Sequence, residues 1–154
     1  KHIEHLIKEQ KRILISENPD TLQCVHLAVG PERTLWNRRH RDLDFMSIRL
    51  GSGTVPATIS IKVPKQILTL EVDTLSLQPN EVADKYAEVT GCPITVEIGI
   101  HPTCGIIGDR NKCISLCKNM IVQATTHHSY DDLRVIVLCD EDERDEWMFC
   151  KWSV

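Results

Sequence analysis

No stretch of this 154-residue chain approaches the roughly 20 consecutive apolar residues that a membrane span requires. The longest apolar run, around 135–139, is the size of a strand. Charge of one sign is also missing. Eighteen Lys and Arg against 22 Asp and Glu leave a net charge of −4, so the chain as a whole makes no electrostatic case for nucleic acid. Glycine and proline number only seven each, with no repeat and no low-complexity segment, which excludes a collagen or coiled-coil fibre. An apolar share of 42% and a charged share of 26% exclude a disordered tail and leave a globular domain with a core to bury. Lys1 is preceded by no Met and by no signal-peptide pattern, so a piece of a longer polypeptide is expected.

The seven cysteines (Cys24, Cys92, Cys104, Cys113, Cys117, Cys139 and Cys150) are odd in number and lack the regular spacing of a secreted scaffold. They read as reduced thiols of a cytoplasmic domain, most of them acting as small hydrophobes. Zinc bound by His101, Cys104, Cys113 and Cys117 with His127 or His128 is a weaker alternative. No C-x2-C pair exists, and Cys117 falls on the apolar face of its helix. A Cys113 nucleophile at a helix N-terminus is weaker still. No Ser-His-Asp set is apparent, so no catalytic residue and no metal ligand is assigned.

Charge is unevenly spread. Residues 1–41 hold eight Lys and Arg against five acids, a net of +3, and six acids crowd into 140–146. A basic leading end suits either a solvated helix face or a segment just inside a membrane.

Apolar spacing predicts an amphipathic helix over 2–16, a break at Asn18-Pro19-Asp20, and a short helix over 21–29 closed by Gly30-Pro31. Residues 45–50 alternate and stop at Gly51-Ser52-Gly53. Residues 58–63 alternate and stop at Pro64, which predicts an antiparallel pair joined through those glycines. A helix over about 79–90, with Pro79 in its first turn, is followed by Gly91-Cys92-Pro93 and a strand over 94–100. A short apolar run at 104–108, a polar loop, a helix carrying Ile114, Cys117, Met120, Ile121 and Ala124, and a buried-type strand over 133–139 read as a βαβ unit with parallel strands.

The loop of that unit is where chemistry is sought. Gly105, Gly108, Asp109, Arg110, Asn111, Lys112 and Cys113 lie where a phosphate loop lies, after a strand and opening a helix. A working loop reads G-x-x-x-x-G-K-[ST]: glycines let backbone N–H groups wrap the phosphates, Lys neutralises them, and a hydroxyl binds Mg²⁺. Counted from Gly108, Lys112 comes two residues early and no second glycine precedes it. Cys113 replaces the hydroxyl, and a thiol is a poor ligand for so hard a cation. Asp109 adds negative charge where phosphates would sit. Weak anion binding at the helix terminus is the most this loop offers. Asp140-Glu141 looks superficially like the acidic pair of such ATPases but reads better as a solvated loop.

The segment Leu35-Trp36-Asn37-Arg38-Arg39-His40-Arg41-Asp42-Leu43-Asp44-Phe45-Met46-Ser47-Ile48-Arg49-Leu50-Gly51-Ser52-Gly53 resembles L-W-x-R-R-x-x-D-x-D-F-L-x-x-R-x-G-x-G. That pattern belongs to the membrane-bound FtsK/SpoIIIE-type ATPase of type VII secretion, the EssC/EccC/YukB family. Gly105-Ile106-Ile107-Gly108-Asp109-Arg110 resembles the family's G-I-I/V-G-x-R. His127-His128-Ser129-Tyr130-Asp131-Asp132-Leu133-Arg134 resembles H-S-x-x-D-L/V-R, and residues 147–152 resemble W-x-x-x-K/R-W.

The resemblance implies the family's first cytoplasmic, membrane-proximal domain. It implies an α/β fold in which a helical stalk (1–30) and a small β-rich part (45–100) lead into a degenerate, ATPase-like βαβ part (103–154). A P-loop-like sheet needs about five strands, so this sheet is expected to be incomplete within the chain. It further implies a place at the cytoplasmic face of the cell membrane, and contacts with other secretion subunits and with neighbouring copies. WXG-type substrates and ATP with Mg²⁺ would be handled by the parent protein. Trp36, Phe45, Trp147 and Trp152 become candidate packing or interface anchors. Arg38, Arg39, Asp42 and Asp44 become candidates for ion pairs, or for contacts to headgroups or a neighbouring subunit. Three functions stay open: a coupling domain with little or no hydrolysis, an ATPase completed by residues outside the chain, and a pure interaction module.

Overall fold

A computed structural model describes residues 1–30, 34–62, 74–101 and 103–152. Pro31, Val63 and Pro64, read above as punctuation or strand end, lie outside the described residues. The elements are α1 (His2–Glu17), α2 (Thr21–Val29), β1 (Ser47–Pro56), α3 (Thr74–Lys85), β2 (Glu88–Glu97), α4 (Arg110–His127) and a one-turn α5 (Arg144–Trp147) set between two 3₁₀ turns. None of the described helices is long and apolar enough to cross a membrane.

α1, α2 and α4 form where apolar periodicity and local punctuation place them. Asp20 caps α2 in a reciprocal box: its carboxylate accepts the Gln23 N–H while the Gln23 side chain accepts the Asp20 N–H.

The β reading needs correction. β1 does not stop at Gly51-Ser52-Gly53 but runs through them, and its antiparallel partner is β2, not 58–63. Of the latter, 58–62 form no strand. The glycines serve packing: a Cβ on Gly53 would lie 2.9 Å from Ile94 Cγ1, so the bare backbone admits that side chain. Likewise β2 begins at Glu88 and passes through Gly91, which is held at φ +70°, instead of starting after it. α3 starts and ends earlier than expected, so Pro79 lies inside it and not in its first turn. The register is set by Ala57 N–H to Ala87 O (2.8 Å) and Ile98 N–H to Met46 O (3.1 Å).

The expected βαβ sheet is not formed among the described residues. α4 is present, but neither 104–108 nor 133–139 joins a ladder, and the described sheet has two strands only. Two parallel strands without further neighbours cannot sustain a sheet, and none of the other described segments flanks them.

The chain divides into two compact units: Lys1–Asn18 with Ser52–Ile94, and Pro19–Gly51 with Thr95–Val154. In the first, α1 grips the ribbon with polar side chains. Gln10 donates to Pro56 O (3.0 Å) and accepts from Thr58 N–H (3.0 Å), while Lys11 Nζ donates to Thr90 O (2.8 Å). Val89 and Cys92 are buried there. In the second, α2 packs on α4, and Thr21 hydrogen-bonds Asn119. Its buried residues include Cys24, Ile48, Ala124 and Cys150, joined by Arg38, Ser47, Gln123, Thr126, His127, His128 and Ser129. So polar a centre holds only if its groups satisfy one another.

Candidate functional site

The phosphate-loop candidates open α4. Gly105 and Gly108 lie in an exposed segment with no ladder, and Asp109 is the N-cap of the helix. Its carboxylate accepts the Lys112 N–H at 3.2 Å, and its carbonyl accepts the Cys113 N–H at 2.9 Å. An N-terminal N–H that a phosphate would claim is thus taken by an acid of the chain itself, and the helix dipole is already complemented. Arg110 is paired with Glu143 and Asn111 O accepts from Ser115, while the exposed Lys112 forms no ion pair with a described residue. Cys113 Sγ lies against Gly108, 3.6 Å from where a Cβ would stand. A triphosphate with Mg²⁺ does not fit this donor set: the hydroxyl is missing, a carboxylate stands at the anion position, and of the two cations on the first turn Arg110 is neutralised by Glu143, leaving Lys112 alone.

The other end of α4 is held by the 35–49 segment. Helices end with carbonyls lacking intrahelical donors. Here Trp36 Nε1–H donates to Thr125 O (3.2 Å), Trp36 N–H to Thr126 O (3.0 Å) and Arg38 N–H to His127 O (3.1 Å). To reach them Trp36 adopts φ +54°, a left-handed conformation unusual for a bulky residue. The Arg38 side chain, 3% exposed, donates to Ser47 O and pairs with Asp44 at 3.1 Å. Arg39 pairs with Asp132 (3.5 Å), while its N–H donates to the Asp42 carboxylate (2.7 Å). Asp132 also accepts from Ser129 Oγ.

His128 is the hinge pin of this cluster. Nε2 accepts the Met46 N–H (3.0 Å), so Nδ1 carries the proton and donates to Ala124 O (2.8 Å). The Phe45 ring stands edge-on to both His128 and His40, each with centroids 4.9 Å apart. Met46 is held at φ +60°, fixed by the His128 bond on one side and by Ile98 N–H on the other. Burial lowers the His128 pKa, opposed by the Ala124 carbonyl and reinforced by Arg38. Burial, then Arg38 and His128, push His127 down to about 4, and its Nδ1 has no hydrogen-bond partner. Neither imidazole is a ready acid or base at neutral pH; their surroundings keep them uncharged.

Gln123 carries no sequence signal, yet it completes the strand. Its carboxamide accepts the Arg49 N–H (2.9 Å) and donates to the Arg49 carbonyl (2.7 Å), as a neighbouring strand would. His128, Ser129 and Asp132 did carry a signal, through the H-S-x-x-D-L-R resemblance.

Trp147 and Phe149 stack at 6.4 Å, with Lys118 Nζ 6.0 Å from each ring and 3.1 Å from Glu146. Trp152 ends the final 3₁₀ turn. Among the described residues no three His, Cys, Asp or Glu side chains stand together as a metal site. Cys113 and His127 are 14 residues apart on α4, about 21 Å along its axis, so the zinc arrangement cannot close. All seven cysteines are free thiols, with Cys24, Cys92 and Cys150 buried.

An open apolar cleft of about 810 Å³ lies in the second unit between α4 and residues 133–139, lined by Met120, Ile121, Ala124, Leu133, Val135 and Val137 among others.

No family model matches the chain. It is 26% identical over 151 residues to the ESX secretion system protein EccC of Geobacillus thermodenitrificans, and 26% identical over 153 residues to the ESX secretion system protein YukB of Bacillus subtilis. It is 22% identical over 152 residues to the type VII secretion system protein EssC of Staphylococcus aureus. These alignments take in 97%, 99% and 99% of this chain but only 10% of each relative. The chain thus spans about a tenth of the length of the curated relatives it matches. The similarity runs almost end to end, through the α4-capping segment and the His128 cluster alike, so the chain is homologous to a segment of the EccC, YukB and EssC proteins of ESX and type VII secretion.

Proposed function

We propose that this segment is a membrane-proximal, cytoplasmic coupling domain of a type VII secretion motor, with weak or no nucleotide hydrolysis of its own. It passes motion between the membrane part of the machine and ATPase domains elsewhere in the same polypeptide, and its partners are other secretion subunits and neighbouring copies. The observation that supports this reading is the Asp109 carboxylate on the Lys112 N–H, with Cys113 in the place of the magnesium-binding hydroxyl. The rigidity that coupling requires is supplied by the cluster that ties both flanks of residues 35–49 to the end of α4.

The test separates turnover from export in a full-length secretion protein carrying these residues. Lys112→Ala is expected to leave ATP turnover unchanged. Arg38→Leu, which removes the buried guanidinium, is expected to lower substrate export while turnover persists. Turnover abolished by Lys112→Ala overturns the reading in favour of an active site at this loop.

A further inference from the structure

The segment that closes α4 is fixed at its two ends by different chemistry. At its start, Trp36 and Arg38 give their N–H groups to the carbonyls of Thr126 and His127, acceptors that do not titrate. At its far end, the Met46 N–H is given to an imidazole, Nε2 of His128 at 3.0 Å. Met46 stands at φ +60°, a conformation that a residue with a side chain keeps only where its surroundings hold it. Two bonds do so: the one to His128, and the one that the Met46 carbonyl accepts from Ile98 N–H at 3.1 Å.

Between these ends little apolar burial resists movement. Residues 39–44 are exposed, Leu43 completely, and Phe45 and Met46 are half-buried. The stretch is knotted by its own turns and can shift as a body. Asp42 N–H donates to Arg39 O (2.8 Å), Phe45 N–H to Asp42 O (3.2 Å) and Ser47 N–H to Asp44 O (3.0 Å). Its ion pairs are Asp44 with Arg38, and Arg39 with Asp132, the latter long at 3.5 Å and facing solvent.

His128 serves as the acceptor only while it is neutral. Its Nδ1–H is committed to Ala124 O at 2.8 Å, so a second proton lands on Nε2 and sets one N–H against another. The Ala124 bond survives that change and keeps the ring on α4 while the Met46 bond is lost. The charged and titratable groups facing the ring are Arg38 and His127, which oppose a second proton, and Asp44 and Asp132, which favour it. Burial adds to the opposition, so the ring is neutral at pH 7 and the bond is made. We propose that residues 39–46 are a proton-operated strap: neutral His128 latches it to α4, and protonation of His128 frees it while α4 stays folded. The latch is read from bonds within the second unit alone, and it stands or falls apart from the coupling role and from nucleotide binding.

NMR of the 154-residue chain tests it, following the His128 ring nitrogens and amide exchange from pH 7.5 to 4.5, with each rate divided by the intrinsic rate at that pH. As Nε2 gains its proton, protection of the Met46 and Ile98 amides is expected to fall by about 10-fold, the worth of a lost hydrogen bond. α4 amides at 119–126 should keep theirs. His127→Gln should leave that loss in place, and His128→Ala should show the low Met46 protection already at pH 7.5. Met46 protection that is unchanged across the His128 titration overturns the proposal, as does a ring that stays neutral down to pH 4.5. Loss of Met46 and α4 protection together overturns it too, because the event is then global unfolding, and abolition of the loss by His127→Gln would assign the switch to the wrong histidine.

Discussion

Gln123 gives Arg49 both halves of a backbone pairing, so its loss is expected to act like the removal of a strand partner. Gln123→Leu removes both hydrogen bonds to the part-buried Arg49 backbone, each worth about 0.5–1.5 kcal/mol. The urea midpoint should fall accordingly. The two histidines make a second prediction at this scale. Both are held neutral in the fold by burial, His127 down to about 4, so the unfolded chain takes up protons first as the pH drops. Stability is therefore full above pH about 6.5 and declines between there and about 4, by on the order of 3 kcal/mol for His127. Denaturation curves at pH 7.5 and 4.5 measure it, and His127→Gln, which cannot titrate, should flatten much of the difference. An unchanged midpoint across that range would contradict the described burial.

Among the elements, α4 is the one held at both ends, by Asp109 at its start and by Trp36 and Arg38 at its close. Asp109→Ala should cost about 1 kcal/mol of stability, as the loss of a helix cap does, and Asp109→Ser should restore most of it. Gly91→Ala should destabilise by about 1 kcal/mol or more, because φ +70° is strained for any residue with a Cβ. Calorimetric melting points check both. α1, α2 and α4 were legible in the sequence because their signals are local: apolar periodicity and the break at Asn18-Pro19-Asp20. The strands were not. Gly51, Ser52 and Gly53 carry the composition of a turn, yet they sit in β1 because Ile94 needs the space that Gly53 leaves. Partner choice in a sheet depends on residues some 40 positions away, and alternation at 58–63 gave no means of preferring 88–97. For the candidate site, the departures at Lys112 and Cys113 were readable from spacing alone. That Asp109 turns its carboxylate onto the helix N-terminus, and that Arg38 sits buried between Ser47 and Asp44, needed the third dimension.

Across the molecule, the second unit is organised around polar groups more than around a large apolar core. Seven buried polar side chains there include an arginine and two histidines. Such a centre specifies geometry through directional bonds. The same unit leaves an apolar cleft open beside α4.

The most direct test of the account is calorimetric titration of the 154-residue chain with ATP and Mg²⁺ at neutral pH. Self-capping of α4 by Asp109 predicts no saturable heat below millimolar nucleotide, and the same flat trace for Lys112→Ala. Micromolar binding that disappears with Lys112→Ala would contradict it.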